Sequence, residues 1–186
     1  MFRSRGVFLY IPAVMLVAAT AEFSMGRKLW GASGVAGLWS GDIWSSHNSQ
    51  FLLDPYSFTH ITHGILFFGL LVLVLPKVTA QSRLWLAVTV EAAWEVLENT
   101  SVVIERYRAE TISLNYYGDS VINSMGDILA CVLGFYFASR LPTRVTVIGT
   151  IALELLLLFW TRDNLALNVV MLIHPSGAIR AWQAGQ

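Results

Sequence analysis

Residues 56–75 read YSFTHITHGILFFGLLVLVL, twenty positions whose only ionisable side chains besides Tyr56 are His60 and His63. A helix crosses a bilayer with about 20 mostly apolar residues. Asp54-Pro55 punctuates the start of this run, with Asp54 as a cap and Pro55 as an early helical residue, and Pro76-Lys77 ends it. The stretch is therefore read as a membrane span. Four more apolar runs follow the same rule, at about 6–23, 83–104, 117–139 and 145–160. The expected fold class is all-α: one integral membrane domain over residues 1–186, a polytopic bundle of about five transmembrane helices with an interfacial loop after the first.

Composition agrees. Hydrophobic residues make up 55% of the 186 positions and charged ones 13%, where a soluble domain carries about 25% charged. Mean hydropathy is +0.60. Formal net charge is zero and no basic tract is present, so no nucleic-acid partner is indicated; the expected partner is the lipid bilayer. Cys131 is the single cysteine, read as a small buried hydrophobe that cannot form an internal disulfide.

The segments between spans differ in character. Arg3 and Arg5 precede the first span and Ala19-Thr20-Ala21 resembles a cleavage site, so a signal peptide and a retained anchor are both open; the anchor is favoured because a polytopic chain needs no separate export signal. Residues 27–55 hold Trp30, Trp39 and Trp44 but no spanning run, and read as an interfacial loop long enough to cover something. The tail, 164–182, carries the apolar run Leu165 to Ile173, too short to span. Basic residues divide evenly between the two sides. The longer, more acidic loops on one side place the N-terminus in the cytoplasm and those loops outside.

Placement of ionisable groups is the strongest functional signal, because a carboxylate near the bilayer centre costs at least about 2.5–3.5 kcal/mol. The third span nevertheless carries Glu91, Glu95 and Glu98, followed by Asn99. The fourth carries Asp119, Asn123 and Asp127, and the second His60 and His63. Spacings of three and four put each set on one helix face. Since successive spans alternate in direction, all three stripes fall toward one membrane face. Asp127 then lies roughly 15 Å below the start of its span, and a polar cleft results, open to the periplasm in the orientation above. Taken singly, each feature has a plainer reading. A lone histidine can be a helix–helix hydrogen-bonding residue, Asp119 an N-cap, Gly126 and Gly134 close-packing positions, and Glu154 either a cleft wall or a structural residue.

His plus carboxylate is a ligand set for a divalent metal such as Zn, Mn or Fe, here His60, His63, Glu95, Asp119 and Asp127. Crowded buried carboxylates equally suit acid–base catalysis or a proton or cation path. No nucleophile elbow, P-loop or dinucleotide fingerprint is present.

Several of these stretches also carry a resemblance: Ser49-Gln50, Tyr56 to Gly64, Glu91 to Asn99, Tyr117 to Ser120 with Asn123-Ser124 and Gly126-Asp127, and Arg162 to Gln183. They resemble an uncharacterised family of proteobacterial multi-pass inner-membrane proteins, a domain of unknown function. That resemblance implies a plasma (inner) membrane location and no particular activity. A looser similarity, to the VanZ-like membrane domain, follows the order His63, Glu95, Arg106, Asp119, Asn123, Gly126; the extra glutamates and His60 depart from it.

The functional expectation is an enzyme acting on a lipid or lipid-linked headgroup by acid–base or metal-assisted chemistry. Glu95 and Asp119 are the expected acid–base or metal pair, and His60 and His63 the ligands or proton donors. Glu91, Glu98, Asn99, Asn123 and Asp127 support them. The alternative is a non-catalytic protein, a proton or cation conduit or a scaffold for another membrane protein. Charge-free stretches at Leu66 to Leu75 and Ile128 to Phe137 count against a through-path.

Overall fold

The computed structural model describes residues 5–31, 34–113 and 115–185, with side chains from residue 9 onward. Arg3 and the side chain of Arg5, which precede the first expected span, lie outside it. Among the described residues there are eight helices: α1 (Arg5–Ser24), α2 (Ser57–Val74), α3 (Ala80–Glu98), α4 (Ser101–Glu110), α5 (Val121–Arg140), α6 (Thr143–Thr161), α7 (Leu165–Ile173) and α8 (Gly177–Gln183). No strand forms among the described residues, where a single bridge joins Trp39 to Leu53. The architecture is an all-α membrane helix bundle.

Three helices, α2, α5 and α6, are long and apolar enough to cross a membrane. Helix α1 contributes the apolar stretch Leu9–Ser24, while α3 carries Arg83 and three glutamates. Their outer faces leave large apolar side chains uncovered, among them Leu16, Leu73, Ile148 and Phe159. Water would penalise such a surface and lipid does not.

Two expected spans have different ends. The run expected at 83–104 breaks after Glu98. Asn99 closes α3 by donating its side-chain amide back to the Glu95 carbonyl (3.1 Å), and Thr100 is extended before α4 starts. The run expected at 117–139 becomes helical only at Val121, because Ser120 is the cap: its hydroxyl accepts from the Asn123 amide at 3.2 Å. Asp119 therefore precedes the helix and does not share a helical face with Asn123 and Asp127.

Helix α5 is the centre of the bundle. Ile128 and Phe135 are fully buried against Leu84, Ala87, Val88 and Ala92 of α3 and Ala18 of α1. Helices α2 and α5 run parallel at backbone contact. A Cβ at Gly64 would overlap the Cys131 carbonyl oxygen, and one at Gly134 would overlap the Ile61 carbonyl. Gly126 is covered in the same way by the Leu52 carbonyl, so both glycines flagged in the sequence are packing positions. This contact brings the first turns of α2 alongside the first turns of α5. Helix α1 joins through a Tyr10–Trp85 stack at 5.0 Å and a 2.6 Å hydrogen bond between the Tyr10 and Thr89 hydroxyls.

The long connection from α1 to α2 folds over the polar end of the bundle. An isolated helix start leaves its first amides without acceptors. Here the Lys28 and Leu29 carbonyls accept from Val121 and Ile122 (2.9 and 3.1 Å), and the Ser49 carbonyl accepts from Ser120 (2.9 Å). Ser49 holds a left-handed backbone, φ 61°, and its amide donates to Asp54 at 2.7 Å. Glu154 turns out to be structural: it accepts from the Thr62 hydroxyl (3.0 Å) and the Leu165 amide (3.1 Å), fastening α7 to α2.

Gly64→Ala is expected to force α2 and α5 apart at a cost of about 1–3 kcal/mol, a fall in melting temperature of roughly 3–10 °C in detergent. Gly69→Ala, on the same helix with open space around it, should leave stability unchanged or raise it by up to about 1 kcal/mol. Equal melting temperatures for the two variants would contradict the α2–α5 backbone contact.

Candidate functional site

His60 sits one turn into α2, facing α3 and α5. Its Nδ1 donates to Glu91 Oε1 at 2.6 Å. His63, three residues on and so on the same face, approaches the same carboxylate at 3.1 and 3.2 Å. An ionised carboxylate only accepts, so Glu91 fixes the proton of both rings on Nδ1 and leaves both Nε2 atoms available. Glu91 is fully buried, whereas the His63 side chain keeps 18% of its exposure. One carboxylate at the floor thus orients two imidazoles, the second of them accessible.

Glu95 comes one turn after Glu91. Its Oε1 stands 3.2 Å from His60 Nδ1, but that hydrogen points to Glu91, so neither Glu95 oxygen has a hydrogen-bond partner among the described residues. Asp127 approaches the other edge of the His60 ring, with Oδ2 3.9 Å from Nε2, and its Oδ1 is also without a partner. Glu98 lies next to the Tyr107 hydroxyl. Two groups have one donor atom per residue within 4.8 Å of one another: His60, His63 and Glu91, and His60, Glu95 and Glu98.

Asp119 lies in a neighbouring layer. Its carboxylate accepts from the Tyr116 hydroxyl at 2.9 Å and from the Asn99 side-chain amide at 3.2 Å, while its own amide donates to Asn99 Oδ1 at 2.8 Å. Burial raises the Asp119 carboxyl to about 6 against the Tyr116 hydrogen bond, which lowers it. Asn123 donates to the Phe51 carbonyl at 2.9 Å and ties the covering loop to α5. Beside it, Asp54 accepts from the Ser49 and Tyr56 amides (2.7 and 2.8 Å); burial raises its carboxyl too, against those two amides.

Apart from Glu95 and Asn99, these groups line one cavity of about 970 Å³. Its wall includes His60, His63, Glu91, Glu98, Asp119, Asn123 and Asp127, with Arg27, Lys28, Trp44, Tyr116 and Tyr117 from the covering segments and Asn168 and Leu172 from α7. The structure therefore gathers His60, His63, Glu91, Glu95 and Asp127 around one point and holds Asp119 with Asn99 and Tyr116. Of the expected ligand set, Asp119 and Asp127 belong to neither three-residue group, because Asp119 is already engaged and Asp127 faces the far edge of the ring. Glu91, expected as a supporting residue, is the direct partner of both histidines.

Three participants went unread in the sequence. Glu22, near the end of α1, is fully buried with both oxygens lacking a well-formed hydrogen bond, and it faces Ser124. A lone acid in an apolar span was the available signal. Arg27 donates to the Tyr117 carbonyl and pins the loop before α5. Asp163, whose carboxyl burial raises to about 6 against hydrogen bonds led by the Asn164 amide, joins the Tyr56 hydroxyl (3.3 Å) to Gln183 (3.0 Å).

Known proteins bear on this arrangement. Residues 22–185 match the family described as Protein of unknown function (DUF2585). A UPF0314 protein of Rhizobium etli is 46% identical over 178 residues, covering 96% of this chain and 91% of that protein. One from Paracoccus denitrificans is 48% identical over 171 residues, 92% and 89%. One from Sphingopyxis alaskensis is 43% identical over 182 residues, 98% and 97%. No solved structure matches the chain. The looser VanZ-like similarity finds no support in these matches. With the match spanning the cavity from Glu22 on α1 to the end of α8, the chain belongs to the DUF2585 family of unknown function.

Proposed function

We propose that this protein is a membrane-embedded enzyme acting on a lipid or lipid-linked headgroup by acid–base or metal-assisted chemistry. The observation that supports it is one cavity joining two kinds of wall. Its floor carries the Glu91-oriented histidines, and its covering segments carry Arg27, Lys28 and Trp44. Cationic groups suit the phosphate of a headgroup, and amphipathic aromatics suit the water–lipid boundary. Apolar residues of α2, α3 and α7 complete the enclosure, so a substrate's polar part would enter while its chains stay in lipid.

In this reading His63, held by Glu91, is the general acid or base that substrate meets first, in the way a buried carboxylate orients an imidazole for proton transfer. His60 and Glu95 complete the centre beneath it. Asp119 is the second carboxylate, positioned by Asn99 and Tyr116 where the loop meets α5. A through-path for protons or cations is disfavoured, since Val88, Ile128 and Phe135 pack without exposure on the far side of the cluster. We place the protein in the bacterial inner membrane with its N-terminus in the cytoplasm and the cavity opening to the periplasm.

The test compares membrane lipids, by headgroup-resolved mass spectrometry, from cells producing the wild-type chain and the folded variants Glu91→Gln, Glu95→Gln and His63→Ala. A headgroup change produced by the wild type should fall by about 10²–10⁴-fold in each. A scaffold would leave all of them indistinguishable from the wild type.

Asp119 supplies a pH signature. Its carboxyl is neutral below about pH 6 and ionised above it. Turnover that uses the anion should therefore decline as pH falls through about 6, and Asp119→Asn should remove that limb of the profile. A limb unchanged in Asp119→Asn would take Asp119 out of the reaction.

A further inference from the structure

We propose that the polar end of the bundle binds one divalent transition-metal ion, held by His60, Glu95 and Glu98 with Asp127 as a fourth donor. The inference deepens the functional reading above by naming what occupies its centre. It does not need turnover to be tested.

Glu95 carries most of the argument. It is 1% exposed, its Oε1 lies 3.2 Å from His60 Nδ1, and neither of its oxygens has a hydrogen-bond partner among the described residues. A buried carboxylate without donors needs a proton, a counter-charge or a metal. Asp127, 3% exposed, repeats the pattern with its Oδ1. Glu95 at the Nδ1 edge and Asp127 at the Nε2 edge thus bring to one imidazole three carboxylate oxygens with no hydrogen bond among the described residues.

The donors are close enough. His60, Glu95 and Glu98 offer one atom each within 4.8 Å of one another. Bonds of about 2.0–2.2 Å put donors on opposite sides of an ion up to about 4.4 Å apart, so side-chain adjustments of a few tenths of an ångström close the set. His60 Nε2 and Asp127 Oδ2, at 3.9 Å, already fall inside that span. The other three-residue group is a poorer holder, because Glu91 is occupied by hydrogen bonds from both histidines. Glu91 instead acts as the carboxylate behind a metal-binding histidine, fixing the tautomer that presents Nε2. One imidazole and three carboxylates, with no thiolate, suit Zn, Mn or Fe(II).

The experiment uses the full chain, purified in detergent through a tag without histidines, with metal content measured by mass spectrometry. The stripped protein is then titrated with Zn²⁺, Mn²⁺ and Fe²⁺ while its melting temperature is followed. About one ion per chain is expected, and a rise in melting temperature of roughly 5–10 °C at a hundredfold excess over the dissociation constant. His60→Ala, Glu95→Gln and Glu98→Gln should each weaken binding at least tenfold. His174→Ala, at the exposed end of α7, should not. Should the buried variants fail to fold, Co²⁺ added to the wild-type protein gives visible ligand-field bands if the site exists. A wild-type protein that takes up none of these ions, or Glu95→Gln and Glu98→Gln variants that bind as tightly as wild type, would overturn the site. Ion bound without headgroup turnover would keep the site and remove the enzyme reading. Turnover by the metal-free protein would do the reverse.

Discussion

A carboxylate enclosed among apolar helices must find a proton, a donor or a cation, and the whole polar end of this bundle is arranged around that demand. Glu91 finds two histidines. Asp119 finds Asn99 and Tyr116, Asp54 finds the Ser49 and Tyr56 amides, and Asp163 finds Tyr56 and Gln183. The pairings of Glu91, of Asp119 with Asn99 and of Asp163 join segments 20 or more residues apart, so there satisfying charge and closing the fold are the same event. Among the described residues, Glu22, Glu95 and Asp127 keep carboxylate oxygens without a well-formed hydrogen bond. Buried polar atoms without partners are rare in folded proteins and each calls for an explanation; here two of the three flank His60.

The apolar half of the bundle makes the polar half possible. Lipid supplies no hydrophobic drive between helices, so close packing has to hold them. Gly64 and Gly134 let α2 and α5 touch backbone to backbone, and that closeness brings His60 within reach of Asp127. Larger residues at the glycines would widen the gap and separate the donors. Below the cluster, Val88, Ile128 and Phe135 fill the space between α3 and α5, so the cavity has a floor.

The covering segments are built differently from the floor. The floor rests on helices and side-chain packing. The roof rests on hydrogen bonds from the α5 start to the 25–56 connection, and on α7, fastened by Glu154 and by Arg106 donating to the Leu172 carbonyl at 3.0 Å. Function-bearing loops commonly sit on such rigid scaffolds. The segment whose tryptophans were read as an interfacial loop is a wall of the cavity, with Trp44 on its lining.

Membrane character, the helix within 56–75 and the polar stripes of α2 and α3 were legible in the sequence, because they follow from local properties: apolar length and helical period. The clustering of His60, His63, Glu91 and Glu95 toward one end followed from the alternation of spans. Helix ends were less legible. Asn99 and Ser120 cap their helices by local bonds to Glu95 and Asn123, and further bonds from Asn99 to the Asp119 amide and from Ser120 to the Gln50 carbonyl hold Asp119 outside the helix it was assigned to. Glu22 was passed over because a single acid near a helix end has many harmless readings. Which carboxylates are satisfied and which are left bare was decided only by tertiary structure. Hydrogen-bond pairing depends on distances of a few tenths of an ångström between helices, and no spacing along one chain encodes those.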